Sequence, residues 1–151
     1  MFKTPLTLRA DPRPDLWVVT EPLIWDDPKY GTLTLCPVGF VTDLASTPWH
    51  VDDNGPSRRP AAGHDAGYKL LRRWGKDFWD AFLRDAILAE GGGRFRAEVY
   101  YRAVRWFGRS AWDSDGKPVS AADFDTIANF EAWRASKPLG MSLAQPGFNL
   151  R

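Results

Sequence analysis

The sequence predicts an α+β protein: a small N-terminal antiparallel β-sheet followed by three to four packed helices. Three observations carry this. Short runs rich in β-branched and aromatic residues fill the chain up to residue 42, and turn residues separate them. Helical periodicity governs from Pro60 onward. Between the two regimes lies a polar, turn-rich stretch over residues 49–59. The 151 residues suit one domain with its own core. It is expected over residues 1–137, with an irregular tail over 138–151.

The strand candidates are Leu6-Thr7-Leu8, residues 16–20, Leu23-Ile24-Trp25 and residues 32–36. Pro12, Pro14, the Asp26-Asp27-Pro28 run and Tyr30-Gly31 mark the turns between them. Thr32, Thr34 and Cys36 alternate with Leu33 and Leu35, as in a half-buried strand. Pro60 suits the start of a first helix, with Ala61, His64, Tyr68 and Leu71 on one face and Gly75 as its end. A second helix is expected over 77–90, with Phe78, Trp79, Phe82, Leu83, Ala86 and Ile87 inward and Gly91-Gly92-Gly93 stopping it. A third is expected over 94–107. Its inward residues are read as Phe95, Val99, Tyr100, Ala103, Val104 and Phe107, and Gly108 closes it. Ser120 and Asp123 stand at capping-box spacing before a fourth helix containing Ile127, Phe130 and Trp133.

Composition excludes several function classes. The net charge of +1 provides no field for nucleic acid or an anionic membrane. No segment reaches membrane-spanning length, and the N-terminus has no apolar run of signal-peptide length. The protein is therefore expected to be made in a cytoplasm. The single cysteine, Cys36, rules out an internal disulfide or a zinc ribbon and reads as a small core residue. The twenty-one Trp, Phe and Tyr residues are many for this length, and aromatics populate binding surfaces as well as cores. The arginines of the third helix could bind phosphate, but with so little net charge a solvated face is the simpler reading.

The chemistry-bearing residues fall in two segments. One is Gly39-Phe40-Val41-Thr42-Asp43-Leu44-Ala45-Ser46-Thr47-Pro48. The other is Ala61-Ala62-Gly63-His64-Asp65-Ala66-Gly67-Tyr68. Both histidines, His50 and His64, lie in this region. The first segment resembles the G-F-x-T-D-x-A-S-x-P motif of a group of short phage and prophage proteins known only as a domain of unknown function. The second matches that group's H-D-x-x-Y. Trp79-Asp80-Ala81-Phe82-Leu83 is similar to its A-D-x-x-F helix, and the run from Tyr101 to Gly108 to its Y-x-A-V-R-x-F-G helix. The resemblance covers roughly residues 30–108. It implies a phage or prophage origin, hence a bacterial host cytoplasm and incorporation into a particle, and it implies no particular reaction.

Asp43, His64, Asp65 and Asp80 form the candidate constellation. His64, Asp65 and Asp43 are the candidate catalytic residues. Asp43, His64, Asp65 and Asp80 are the candidate ligands of a divalent metal ion, which would activate water for hydrolysis. Small neighbours (Ala45, Ala61, Ala62, Gly63, Gly67) would leave room near them. The competing reading is a structural network in which His64 ties a loop carboxylate to a helix. His50 reads as a solvated loop histidine. Ser46 lacks the G-x-S-x-G setting of a nucleophile, and Cys36 has no basic neighbour in sequence. Two functions follow: a small hydrolase acting at the bacterial envelope, or a non-catalytic virion component such as a tail or baseplate part. Expected partners are other phage structural proteins, or a second copy, engaged through the aromatic surface and the tail. No specific nucleic acid and no membrane span are expected.

Overall fold

The computed structural model describes residues 1–44 and 55–136. Among the described residues five strands come first: β1 Leu8–Ala10, β2 Trp17–Val19, β3 Leu23–Asp27, β4 Gly31–Cys36 and β5 Val41–Thr42. Four helices follow: α1 Arg58–Leu70, α2 Lys76–Ala89, α3 Arg94–Ser114 and α4 Ile127–Ser136. This is the expected α+β order. The strands, however, are divided between two antiparallel sheets, β1-β2-β5 and the hairpin β3-β4. The expected tail and the segment Ala45–Pro48 with His50 lie outside the described residues.

The hairpin follows from local chemistry. The Asp27 carboxylate accepts the backbone N–H groups of Lys29 and Tyr30 at 2.9 and 3.0 Å, which closes the turn, and Gly31 adopts a left-handed φ of 76°. Thr32 and Thr34 face water while Leu35 is buried, as the alternation requires. Cys36 departs from the alternation and is fully buried, because the end of β4 runs beneath α1. There its Sγ–H donates to the Ala62 carbonyl at 3.4 Å.

The main core lies between the hairpin and α1–α2. Leu23, Trp25, Leu35 and Phe2 meet Ala62, Ala66, Trp79 and Phe82. Phe2, Trp25 and Phe82 pack edge to face. A second cluster, Leu83, Ile87, Ala97, Tyr100 and Val104, joins α2 to α3.

Helix boundaries differ from expectation at three places. The first helix ends at Leu70 and passes through a 3-10 turn, Arg72–Trp74, before Gly75 (φ 79°) turns the chain into α2. Gly108 does not end α3, which runs on to Ser114; a Cβ there would lie 2.9 Å from the Tyr68 hydroxyl, so this glycine serves close approach rather than termination. Ser120 and Asp123 do form a capping box, but on the 3-10 turn Ala121–Asp123. α4 is begun instead by Thr126, whose hydroxyl accepts the Asn129 N–H at 3.1 Å.

The C-terminal elements fold back onto the first sheet. Phe40 bridges Phe124, the Asp125 N–H donates to the Gly39 carbonyl at 2.9 Å, and Arg9 pairs with Asp125 at 2.6 Å. Gly39 opens the G-F-x-T-D segment with φ 81°, and a Cβ there would lie 2.5 Å from Asp125 and Asn129 atoms. Only glycine lets this docking happen.

Candidate functional site

β5 delivers Thr42 and Asp43 to the end of the three-stranded sheet, and α1 carries His64 and Asp65 beneath them. The Thr42 hydroxyl donates to the Asp65 carboxylate at 3.1 Å and accepts the Leu44 N–H at 3.1 Å. Leu44 itself holds a left-handed φ of 53°, uncommon for a branched side chain. The Thr-Asp-Leu turn is thus fastened to α1 through Thr42.

A cleft of about 240 Å³ opens here. Asp43 and Asp65 line it, with Asp115 from the end of α3 and Asp123 from the 3-10 turn. Two cations, Arg13 and Lys69, share the lining, and each already has a carboxylate partner. Arg13 grips Asp11 through two nitrogens at 2.7 and 3.1 Å, and Lys69 meets Asp123 at 3.3 Å.

His64 is 2% exposed and lies under the cleft rather than in its wall. Its Nδ1 is 3.7 Å from Asp65, its Nε2 is 3.5 Å from Asp80, and its ring packs on Tyr68 with centroids 4.1 Å apart. Asp80 is fully buried on the far side of the imidazole. It accepts Tyr68 Oη at 2.5 Å and Lys76 Nζ at 2.7 Å, and Arg105 approaches to 3.6 Å. Lys76 also donates to the Val104 carbonyl at 2.7 Å. Among the described residues no buried side-chain nitrogen or oxygen lacks a partner.

These surroundings set the charges. Burial raises the Asp65 carboxyl above the usual carboxylate range, and the Asp43 charge adds to that, against the lowering effect of His64 and Thr42. Asp115 is raised by burial as well, with Asp65 and Asp43 pushing the same way. Burial also presses on Asp80, but hydrogen bonds from His64, Lys76 and Tyr68 outweigh it and hold that carboxyl below its ordinary value. Burial disfavours the His64 cation, yet the Asp65 and Asp80 carboxylates together raise its pKa. The site therefore contains a buried ion cluster centred on Asp80 and, toward the cleft, the Asp65 carboxyl, which burial makes harder to ionise than an ordinary one.

The sign of the pH dependence follows. His64 binds its proton more tightly folded than unfolded. Its stabilisation is complete below the ordinary value of 6.5 and is lost as pH rises through the higher folded value. Asp80 acts oppositely: its contribution is present above 3.8 and disappears as pH falls through its lower folded value. Asp65, raised, adds a cost above 3.8. Urea unfolding is expected to show stability falling as pH climbs above 6.5, and His64→Gln should flatten that decline. An unchanged slope in the variant would assign the decline to another group.

The structure thus brings Asp43 and Asp65 into one cleft, seats His64 beneath Asp65, and places Asp80 beyond His64 at the hub of the ion cluster. Of the four candidate residues, Asp43 and Asp65 line the cleft. Among the described residues, no group of three or more His, Cys, Asp or Glu side chains is arranged to hold a metal ion. The small residues of α1 do not make room for a ligand. Ala61 and Ala62 are buried, and a Cβ on Gly63 or Gly67 would strike Leu35, Phe82 or Trp79. Asp115, Lys69 and Arg13 were not expected at the site, and Asp123 was expected only as a cap.

Fold and site together define an α+β protein with a carboxylate-lined cleft above a buried ion cluster. The chain belongs to the family of proteins of unknown function DUF1353, whose model matches residues 17–104. No curated protein and no solved structure matches it. Asp43, His64, Asp65 and Asp80 lie within the matched region, whereas Arg13, Asp115 and Asp123 lie outside it.

Proposed function

We propose that this chain is a small phage- or prophage-encoded hydrolase that acts on material of the bacterial envelope. The observation that carries this is the cleft pair: Asp65, whose carboxyl burial raises above its ordinary range, shares one cavity with Asp43. A carboxylic acid tuned upward beside a second carboxylate suits general acid–base hydrolysis. Asp65 donates a proton to the leaving group, and Asp43 orients or deprotonates the attacking water. His64 does not reach the cleft. It positions Asp65 from below, and Thr42 fixes that carboxyl from the side. A divalent cation held at Asp43 and Asp65 is the metal-dependent form of the same reading.

The test is hydrolysis of purified cell-wall fragments by the full chain, with and without chelator, alongside elemental analysis of the protein. Asp65→Asn and Asp43→Asn are each expected to reduce turnover by about 100-fold or more while unfolding midpoints stay close to wild type. Stoichiometric metal together with chelator sensitivity would select the metal-dependent form. A wild-type chain that neither binds nor cleaves any fragment, or an Asp65→Asn variant with full activity, would sink the enzyme reading.

A second reading is a non-catalytic virion component, a tail or baseplate part in which Asp43 and His64 only fasten the fold. The exposed aromatic side chains of α3 favour it, because such surfaces suit a protein that docks on neighbours. In both readings the protein is made in a bacterial host cytoplasm.

A further inference from the structure

Among the described residues, Asp15 and Leu44 are the non-glycine residues with a left-handed backbone, at φ 59° and 53°. Asp15 lies in an exposed turn, and its residue type visits this region readily. Leucine does not, because its Cβ crowds the following carbonyl there. A residue kept in such a conformation is held by its surroundings, and positions of this kind gather where a functional group is being aimed. Leu44 directly follows Asp43, a wall residue of the cleft.

Backbone, side chain and hydrogen bond all hold this turn. β5 fixes its start, because Val41 and Thr42 pair with Val18 and Trp17 of β2. The Leu44 side chain packs against the main core. The Leu44 N–H donates to Thr42 Oγ1 at 3.1 Å, and that hydroxyl gives its only proton to Asp65 Oδ2, also at 3.1 Å. A hydroxyl turns freely until an acceptor takes its proton. The Asp65 oxygen therefore keeps a Thr42 lone pair directed at Leu44. Asp65 makes a firm post for this, since it stands on α1, whose Ala62 and Ala66 are buried in the core.

We infer that Thr42 is a latch through which Asp65 holds the Leu44 turn in its left-handed form and so keeps Asp43 in the cleft wall. Thr42 and Leu44 are then positioning residues for Asp43. A ligand group that takes Asp65 Oδ2 for itself opens the latch and releases the turn. The coupling stands on this geometry, and only its consequence for turnover rests on the hydrolase reading.

The test is hydrogen exchange of the Leu44 amide, read by NMR on the full chain. The wild type is expected to protect this amide. Thr42→Val keeps the shape, removes the hydroxyl and should speed exchange about tenfold, on the scale of one hydrogen bond. Asp65→Ala should speed it by a similar factor, although the Asp65 carboxylate bonds to Thr42 and not to Leu44. The double variant should exchange no faster than either single one, because both open the same latch. Thr42→Ser should recover most of the protection that Thr42→Val loses. The amides of Phe82 and Leu83 on α2 should keep their rates throughout, which separates release of the turn from a general loss of stability. On the cell-wall fragments, Thr42→Val should lower kcat about 10- to 100-fold with little change in KM, since Asp43 would be misplaced for the reacting water rather than for binding. A wild-type Leu44 amide without protection overturns the inference, and so does an Asp65→Ala variant that leaves protection intact. Effects that multiply in the double variant also overturn it. Coupled exchange in a chain that cleaves nothing supports the latch and sinks the hydrolase reading, whereas cleavage with uncoupled exchange does the reverse.

Discussion

Replacing Asp80 by alanine is expected to remove about 3–5 kcal/mol of stability, the cost of breaking a buried ion pair from one side. Asp80 is fully buried and receives groups from three helices. Tyr68 and His64 come from α1, Lys76 from its own helix, and Arg105 from α3. Without the carboxylate, the His64 imidazole would lose one of its two acidic partners and an ammonium would remain in the interior, with the Val104 carbonyl as the main remaining acceptor for Lys76. Asp80→Asn keeps the shape but not the charge and should fall between alanine and wild type. Against a total stability of about 5–15 kcal/mol for a typical domain, the alanine variant would be marginal at ordinary temperature. Urea unfolding measures it. A loss under about 1 kcal/mol would mean that Lys76 and Arg105 swing out to water, and that the cluster does not hold the helices together.

Gly67→Ala is the second large effect. On an exposed helix this change is worth nearly 1 kcal/mol in favour of alanine. Here the new Cβ would lie 2.1–2.6 Å from three atoms of the Trp79 ring. That ring has little freedom to yield. It is fully buried, its Nε1–H donates to the Leu71 carbonyl at 3.0 Å, and it stacks on Trp74 with centroids 5.6 Å apart. Overpacking of this kind costs typically 1–3 kcal/mol and occasionally more, so a net loss of about 2 kcal/mol or greater is expected. Gly63→Ala gives the internal comparison: its nearest contacts are the tips of Leu35 and Phe82 at 2.9–3.1 Å, and its cost should be clearly smaller. Equal midpoints for the two variants would show that α1 can shift away from α2.

What the sequence made legible was local. Turn residues around the hairpin, the α2 stripe from Phe78 to Ile87 and the glycine run after it are short-range signals, and the structure follows them. The division of the strands between two sheets was not legible. β5 has only two residues, and its pairing with β2 skips over a whole hairpin. Gly108 misled because a glycine that stops a helix and one that admits a hydroxyl from another helix look alike in one dimension. Phe95 and Phe107, read as inward, stand 84% and 67% exposed on α3; they misled because apolar character marks any contact surface, inside or outside. Asp43, His64 and Asp65 could be singled out by type and proximity in sequence. The sorting of their roles could not, because it depends on Asp80 lying beyond the imidazole and on Asp115 arriving from the far end of α3.

The walls of the cleft are drawn from widely separated parts of the chain: Arg13 and Leu16, then residues 40–43, then Asp65 and Lys69, and last Asp115, Ala122 and Asp123. This fixes a timetable. As the polypeptide leaves the ribosome from its N-terminus, Asp43 and Asp65 can be fastened together once α1 has emerged, yet at that moment they border an open surface. The cavity exists only after the last wall residue is synthesised and Phe124 has docked on Phe40. A finished molecule therefore differs from a nascent one at this place, and a fragment confined to residues 17–104 would carry the two carboxylates without the enclosure around them.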